Sequence, residues 1–401
     1  MRKMIELQSP VVSKNIQLGD ELSLFPSVSN EFTYDTFFRR YMEPNLPCIF
    51  QSWLTAEWAA RKIWVSDNKI DVDHLVHKYG LAEVPVADCD QKHYNSQQKE
   101  TFLLKNYLSK YWLNHKCEEN KSHQKCLYLK DWHFVRAYPE AKIYRTPIFF
   151  CSDWLNEFWE KREDSQDDYR FVYLGPKGSW TPFHADVFQS YSWSANVCGR
   201  KKWIFFPPGA EESLKDCMGS LPYDIAKSGQ NLDALGALTV IQEPGETIFV
   251  PSGWHHQVWN LEDTLSINHN WINATNILQV WRQLLAELLK VEDAISDCRS
   301  MEKWEDQCQL VLKASHGMDF IEYYHFLRAI AKPRIESLRS GSDLTVLDGH
   351  RQGRRHTEYD VQRLRDALLA LLDDHHVGHL DTFESLAEPP AALLDQLNDL
   401  L

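Results

Sequence analysis

Between Arg170 and Trp271 the chain is a run of short segments rich in β-branched and aromatic residues, each closed by turn formers. Arg170–Leu174, Tyr191–Val197, Lys202–Phe206, Leu238–Gln242, Thr247–Val250, His256–Trp259 and Thr264–Trp271 are the segments. Gly175-Pro176, Gly199, Pro207-Pro208-Gly209, Pro244-Gly245 and Pro251-Ser252-Gly253 stand between them. Short strands at this spacing, with turns between, predict a double-sheet jelly roll or a small barrel. The aromatic content of 12%, with 15 tryptophans, suits such a core, in which large side chains pack across strands.

The flanks read differently. Residues 1–30 predict a polar, partly extended arm. Phe37, Phe38 and Tyr41 after Asp35 predict a short amphipathic helix, ended by Pro44 and Pro47. Pro47–Phe50 reads as a strand, Trp58–Trp64 as a helix, Leu81–Val86 as an edge strand, Leu103–Tyr111 as a helix and 114–126 as a surface loop. Downstream, Ile277, Leu278, Trp281, Leu284, Leu285, Leu288 and Leu289 recur at helical spacing, and Trp304–Leu312 and Tyr323–Ala331 read as helices too. Arg339–Arg355, with Gly341, Gly349 and Gly353, predicts a flexible loop. A helix through Val361, Leu364, Leu368, Leu371 and Leu372 follows, then a short one opened by Glu388-Pro389-Pro390. The expected fold class is α+β with a mainly β core. An N-terminal mixed α/β region spans 1–135, the β domain 136–275 and a helical region 276–401.

Charge and cysteine usage exclude some functions. A formal net charge of -14 argues against a broad nucleic-acid surface and is compatible with a basic protein substrate. The nine cysteines form no CxxC pair, which predicts free thiols in a reducing compartment. Met1–Pro10 holds no apolar core of signal-peptide length and no apolar run reaches membrane-spanning length. A cytoplasmic protein is expected, with the nucleus as second possibility, and neither membrane nor direct nucleic-acid binding. Oligomerisation through the C-terminal helices is open.

Chemistry concentrates in Trp180-Thr181-Pro182-Phe183-His184-Ala185-Asp186. On a strand, His184 and Asp186 point to one face. A third ligand from His255 or His256, which alternate across a later strand, would complete two histidines and one carboxylate. That set binds Fe(II) on one side and leaves positions open for co-substrate and oxygen. His379-Leu380-Asp381 is the control: the same tripeptide beside His375 and His376, in a helical acidic tail with no histidine after it, reads as a solvated cluster. A dicarboxylate co-substrate such as 2-oxoglutarate also needs a cation on the wall. Arg200, Lys201 and Lys202 begin the strand Trp203–Phe206, and Thr181 can add a hydroxyl.

Thr181–Asp186, Gly199–Pro208, Pro244–His256 and Asn268-His269-Asn270-Trp271 together resemble the jumonji-C family of Fe(II)- and 2-oxoglutarate-dependent oxygenases, in order and spacing, across about 100 residues. The resemblance implies a double-stranded β-helix, a cupin-like jelly roll, with His184, Asp186 and His256 as iron ligands. His256 is preferred because the family pattern Gly-Trp-x-His places the ligand second after Trp254. Thr181 and Lys201 match positions that bind the far carboxylate of 2-oxoglutarate, Lys201 being second after Gly199. Ser194 and Asn268 match polar positions around the co-substrate, and Tyr173 joins them from the preceding strand.

Phe183–Phe188 and Ser192-Trp193-Ser194 resemble the family's small hydroxylase branch. That implies lysyl C4 hydroxylation of the eukaryotic translation termination factor, in support of translation termination. Within the same chemistry the alternative is Nε-methyl-lysine demethylation. Outside it, the alternative is a non-catalytic cupin-like binding module.

Overall fold

The computed structural model describes residues 4–9, 11, 25–112, 125–162, 167–380, 383 and 385–401. The strands that build the core are, in chain order, β1 (Ser27–Val28), β2 (Cys48–Phe50), β3 (Glu83–His93), β4 (Ser96–Leu103), β5 (Leu127–Trp132), β6 (Arg170–Gly175), β7 (Trp180–His184), β8 (Tyr191–Cys198), β9 (Lys201–Phe206), β10 (Leu238–Gln242), β11 (Thr247–Val250), β12 (His255–Asn260) and β13 (Thr264–Trp271). They form a nine-stranded sheet ordered β1-β2-β11-β8-β13-β6-β5-β3-β4 and a four-stranded sheet ordered β7-β12-β9-β10. All pairings are antiparallel except β1 with β2. The two sheets face each other as a cupin-type sandwich and do not close into a barrel. The expected α+β class with a β core is the class observed.

Alternation explains why one sheet serves two environments. On β8, Trp193, Ala195 and Val197 enter the larger hydrophobic cluster, and on β13 Leu265, Ile267 and Trp271 do the same. Ser192, Ser194, Asn268 and Asn270, the intervening residues, face a cavity between the sheets. The apolar face is covered by the N-terminal elements through an aromatic stack in which Phe150 lies 5.6 Å from Trp193 and Phe37 5.2 Å from Phe249. Burying such rings contributes roughly 1.5–3 kcal/mol each.

Helices α1 (Trp154–Glu160), α2 (Ile277–Ala294), α3 (Trp304–His316), α4 (Phe320–Ser340), α5 (Arg354–Leu372) and α6 (Pro390–Asn398) make a second cluster. The buried stripe of α2 is Ile277, Val280, Trp281, Leu284, Leu288 and Val291, whereas Leu289, expected in that stripe, is exposed. Among the described residues no helix is long and apolar enough to cross a membrane.

Several expectations are corrected. The segment at Leu81–Val86 is not an edge strand: β3 runs to His93 and lies between β4 and β5, two strands the apolar pattern did not reveal. Their polar residues face the cavity or solvent, so neither strand shows a long apolar run. Helix α4 continues nine residues past Ala331 and through Pro333 to Ser340. Arg334, just beyond the proline, is held by Asp360 at 2.8 Å and by Glu157 at 3.2 Å, and that tertiary anchoring overrides the break proline would impose. The stretch Arg339–Arg355 is not a free loop. Leu344–Thr345 and Arg351–Gln352 pair as a hairpin, and Met4–Ile5 adds to it in parallel. Residues 114–124 of the surface loop expected at 114–126 and most of the arm at 1–30 lie outside the described residues, as does Asp381 of the control tripeptide.

Candidate metal and co-substrate site

Thr181 and His184 are three apart, a spacing that on a regular strand sends two side chains to opposite faces. Strand β7 is bulged between them: Thr181 pairs with Val258 and His184 with His256, so that Pro182 and Phe183 oppose the single residue Gln257. The bulge carries Pro182, tolerated because β7 is an edge strand. Thr181 and His184 therefore both face the cavity, and Phe183 turns outward into a separate apolar cluster with Ile204 and Phe206. The strand ends at His184. Asp186 does not share it, as period-two geometry had suggested, but sits in extended backbone (φ -65°, ψ 148°) just beyond.

The structure brings His184, Asp186 and His256 together, with candidate ligand atoms all within 4.8 Å of one another. Each histidine has its Nδ1 turned to the carbonyl two residues before it: His184 to Pro182 at 2.8 Å and His256 to Trp254 at 3.0 Å. Donation from Nδ1–H fixes the tautomer that leaves Nε2 as a lone-pair donor. Burial, and His184 beside it, lower the pKa of His256 to about 4, so the ring is neutral at pH 7. Asp186 accepts the Ser192 hydroxyl at 2.6 Å through Oδ2, leaving Oδ1 for a ligand. Two imidazole nitrogens and one carboxylate oxygen suit a divalent iron.

The two choices left open by spacing separate by parity. His256, Val258 and Asn260 form one face of β12 and His255 the other; His255 packs on Phe183 at 5.4 Å and sits 3.6 Å from Glu211. On β9, Lys201 and Trp203 point into the cavity. Lys202 points out, its ammonium 5.8 Å from the Trp259 ring centre. The register starts at Gly199, with φ of +82°, where a Cβ would lie 2.2 Å from the Asp263 carbonyl oxygen.

The cavity holds about 470 Å³, of the size that small-molecule sites occupy. Lys201 is 2% exposed, and its ammonium donates to Ser266 Oγ at 2.8 Å. Burial, with Lys130 nearby, lowers its pKa to about 7. Ser194 and Asn268 are directly paired across β8 and β13, and Ser194 Oγ and Asn268 Oδ1 are buried without partners. A buried cation beside the Ser194 hydroxyl, which can donate, is a cradle for a polar anion. The Tyr173 hydroxyl donates to Asp131 at 2.7 Å, so Tyr173 lines the cavity with its hydroxyl already engaged. Thr181, Lys201, Ser194, Asn268 and Tyr173 thus share one wall system with the three ligand atoms. The donor set fits a metal, and the wall fits a dicarboxylate.

Sequence reasoning missed Tyr128, Lys130 and Gln97, which line the same cavity. The signal was there in β5: Leu127 and Leu129 are apolar and buried in the core, and Tyr128 and Lys130 alternate with them. Among the described residues a second group able to hold a metal is Asp374, His375 and His376, next to the control tripeptide. His376 is already taken up by Asp374 at 2.7 Å and Glu292 at 3.1 Å.

A family model described as "JmjC domain, hydroxylase" matches residues 171–271. The chain is similar to the chicken protein named 2-oxoglutarate and iron-dependent oxygenase JMJD4, 47% identical over 91% of this chain and 89% of that protein. The human protein of the same name is 44% identical, over 94% and 91%. An Arabidopsis thaliana protein named arginine-specific demethylase JMJ20 is 41% identical over 78% of this chain and 71% of that protein.

Proposed function

The chain belongs to the JmjC family of 2-oxoglutarate- and iron-dependent oxygenases, and on that premise we propose that it hydroxylates C4 of a lysine side chain in the eukaryotic translation termination factor. Fe(II) is its cofactor, and 2-oxoglutarate and oxygen are its co-substrates. Bound iron supplies the oxidant: one oxygen atom enters a substrate C–H bond, and 2-oxoglutarate leaves as succinate and carbon dioxide.

In this reading His184, Asp186 and His256 hold the iron, and Lys201 with Thr181 binds the far carboxylate of 2-oxoglutarate. Ser194 and Asn268 offer it polar contacts. The observation that carries the proposal is the pairing of this cavity with similarity to an oxygenase over nine-tenths of the chain. Tyr169 and Phe171 line the same cavity and offer an apolar face for the methylene stem of a lysine. The net charge of -14 favours approach of a basic segment. Action in the cytoplasm follows from the substrate proposed.

The test is mass spectrometry of recombinant termination factor incubated with the enzyme, Fe(II) and 2-oxoglutarate. One oxygen on one lysine, absent with His184→Ala, is expected. An unmodified factor, or equal modification by the variant, overturns the reading. The relative named as an arginine-specific demethylase motivates a second reading, oxidation of an N-methyl group. That chemistry releases formaldehyde from methylated peptides, and lysine hydroxylation does not.

A further inference from the structure

Strand β5 departs from regular geometry where it borders the cavity. Leu129 pairs with Leu174 and Trp132 with Val172, so an extra residue is accommodated between them. Asp131 takes the extra place in the left-handed region, with φ of +57°. Leu129 and Trp132 stay in the apolar core, and Lys130 and Asp131 both reach the cavity. A non-glycine residue in that conformation is strained, and strain of this kind concentrates at functional sites.

The two charges so delivered are not equivalent. Asp131 is neutralised where it stands: Lys99 pairs with it, and the Tyr173 hydroxyl donates to it at 2.7 Å. Lys130 is 6% exposed, and its ammonium donates to Gln97 Oε1 at 2.7 Å. Gln97 in turn donates to the Trp180 carbonyl at 3.0 Å, which ties Lys130 to the strand that bears Thr181. Among the described residues no carboxylate lies within ion-pair distance of either the Lys130 or the Lys201 ammonium. Two buried cations from facing sheets border one cavity: Lys130 feels the charge of Asp131 without pairing to it, and among the described residues neither ammonium has an ion-pair partner.

We propose that Lys130 is a second cationic contact for the far carboxylate of 2-oxoglutarate, acting with Lys201 from the opposite sheet. Burial, together with Lys99 beside it, lowers the Lys130 pKa to about 8, and Lys130 and Lys201 repel one another. An arriving carboxylate removes that repulsion and restores both ammonium groups. The proposal rests on the dependence on 2-oxoglutarate, not on the identity of the protein substrate.

Calorimetric titration of the full chain loaded with Mn(II), without oxygen, tests it. The probes are 2-oxoglutarate and its 5-amide, which has an uncharged far end. Wild type should favour the dicarboxylate. Lys130→Gln should bind 2-oxoglutarate about ten- to a hundredfold more weakly, with affinity for the amide changed less than about twofold. Lys130→Met should melt no lower than wild type without ligand, because an unpaired buried ammonium is gone, and should gain less on adding 2-oxoglutarate. An unchanged affinity in Lys130→Gln, an equal loss for acid and amide, or a large drop in melting temperature without ligand in both variants overturns the proposal. If wild type itself fails to discriminate acid from amide, the assignments of Lys130 and Lys201 both fail.

Discussion

Ser192 donates its hydroxyl hydrogen to Asp186 Oδ2 at 2.6 Å, reaching from the nine-stranded sheet to a carboxylate that no strand holds. Ser192→Ala should therefore weaken divalent-metal binding by roughly ten- to a hundredfold. Competition against a chromophoric chelator measures it, and the melting temperature of the metal-free protein should stay close to wild type.

His255 and His256 are adjacent, yet only one faces the ligand cluster. His256→Ala should abolish detectable metal binding, and His255→Ala should retain it within about threefold of wild type. The same comparison at β9 sets Lys201→Met, expected to lose roughly 2–5 kcal/mol of 2-oxoglutarate binding, against Lys202→Met, expected to lose none.

Proton linkage follows from Lys201, whose pKa falls from an ordinary 10.5 to about 7 in the folded protein. Between those values the unfolded chain holds the extra proton, so the ligand-free protein gains stability as pH rises from about 7 toward 10.5. Below pH 7 that gain is absent. Binding of 2-oxoglutarate favours the charged form, so at pH 8 it should take up roughly one proton and weaken as pH rises further. Calorimetry in two buffers of different ionisation enthalpy counts the proton. Uptake of none removes Lys201 from the carboxylate contact.

Phe188 ties the loop of Asp186 to the helices. Its φ is +56°, it is buried, and its ring packs 5.8 Å from Tyr169 and 5.6 Å from His316. Phe188→Ala should cost roughly 3–5 kcal/mol of stability and lower metal affinity as well. Denaturant titration and metal competition on the same sample check both.

Arg334 and Asp360 are fully buried partners. Arg334→Met should destabilise by roughly 3–5 kcal/mol, because buried Asp360 and Glu157 both lose a cationic partner. Adding Asp360→Asn should recover part of that loss in urea unfolding.

Legibility in the sequence tracked how each residue makes its contacts. The β core was readable because alternating apolar residues and turns are local signals, and so was the cluster of His184, Asp186 and His256, through its motif. What was hidden depends on partners outside the segment itself. Helix α4 passes Pro333 because of Asp360 and Glu157, and β3 is central because of β4 and β5. The bulges that aim Thr181 and Lys130 leave no mark in composition, since they are set by pairing register. Pro182, which lacks a backbone N–H, was the one local hint of the first.

The parallel pairing of Met4–Ile5 with Arg351–Gln352 bears on the order of synthesis. So does the bond from Tyr34 to His356, 2.7 Å long between residues 322 apart in sequence. A ribosome adding roughly 5–20 residues per second leaves Met4–Ile5 and Tyr34 waiting on the order of tens of seconds for Arg351–His356. Until then Met4–Ile5 lacks its strand partner and the Tyr34 hydroxyl its histidine, a period in which a nascent chain is exposed to aggregation. These contacts therefore close late in synthesis, after the strands that carry the site have been made.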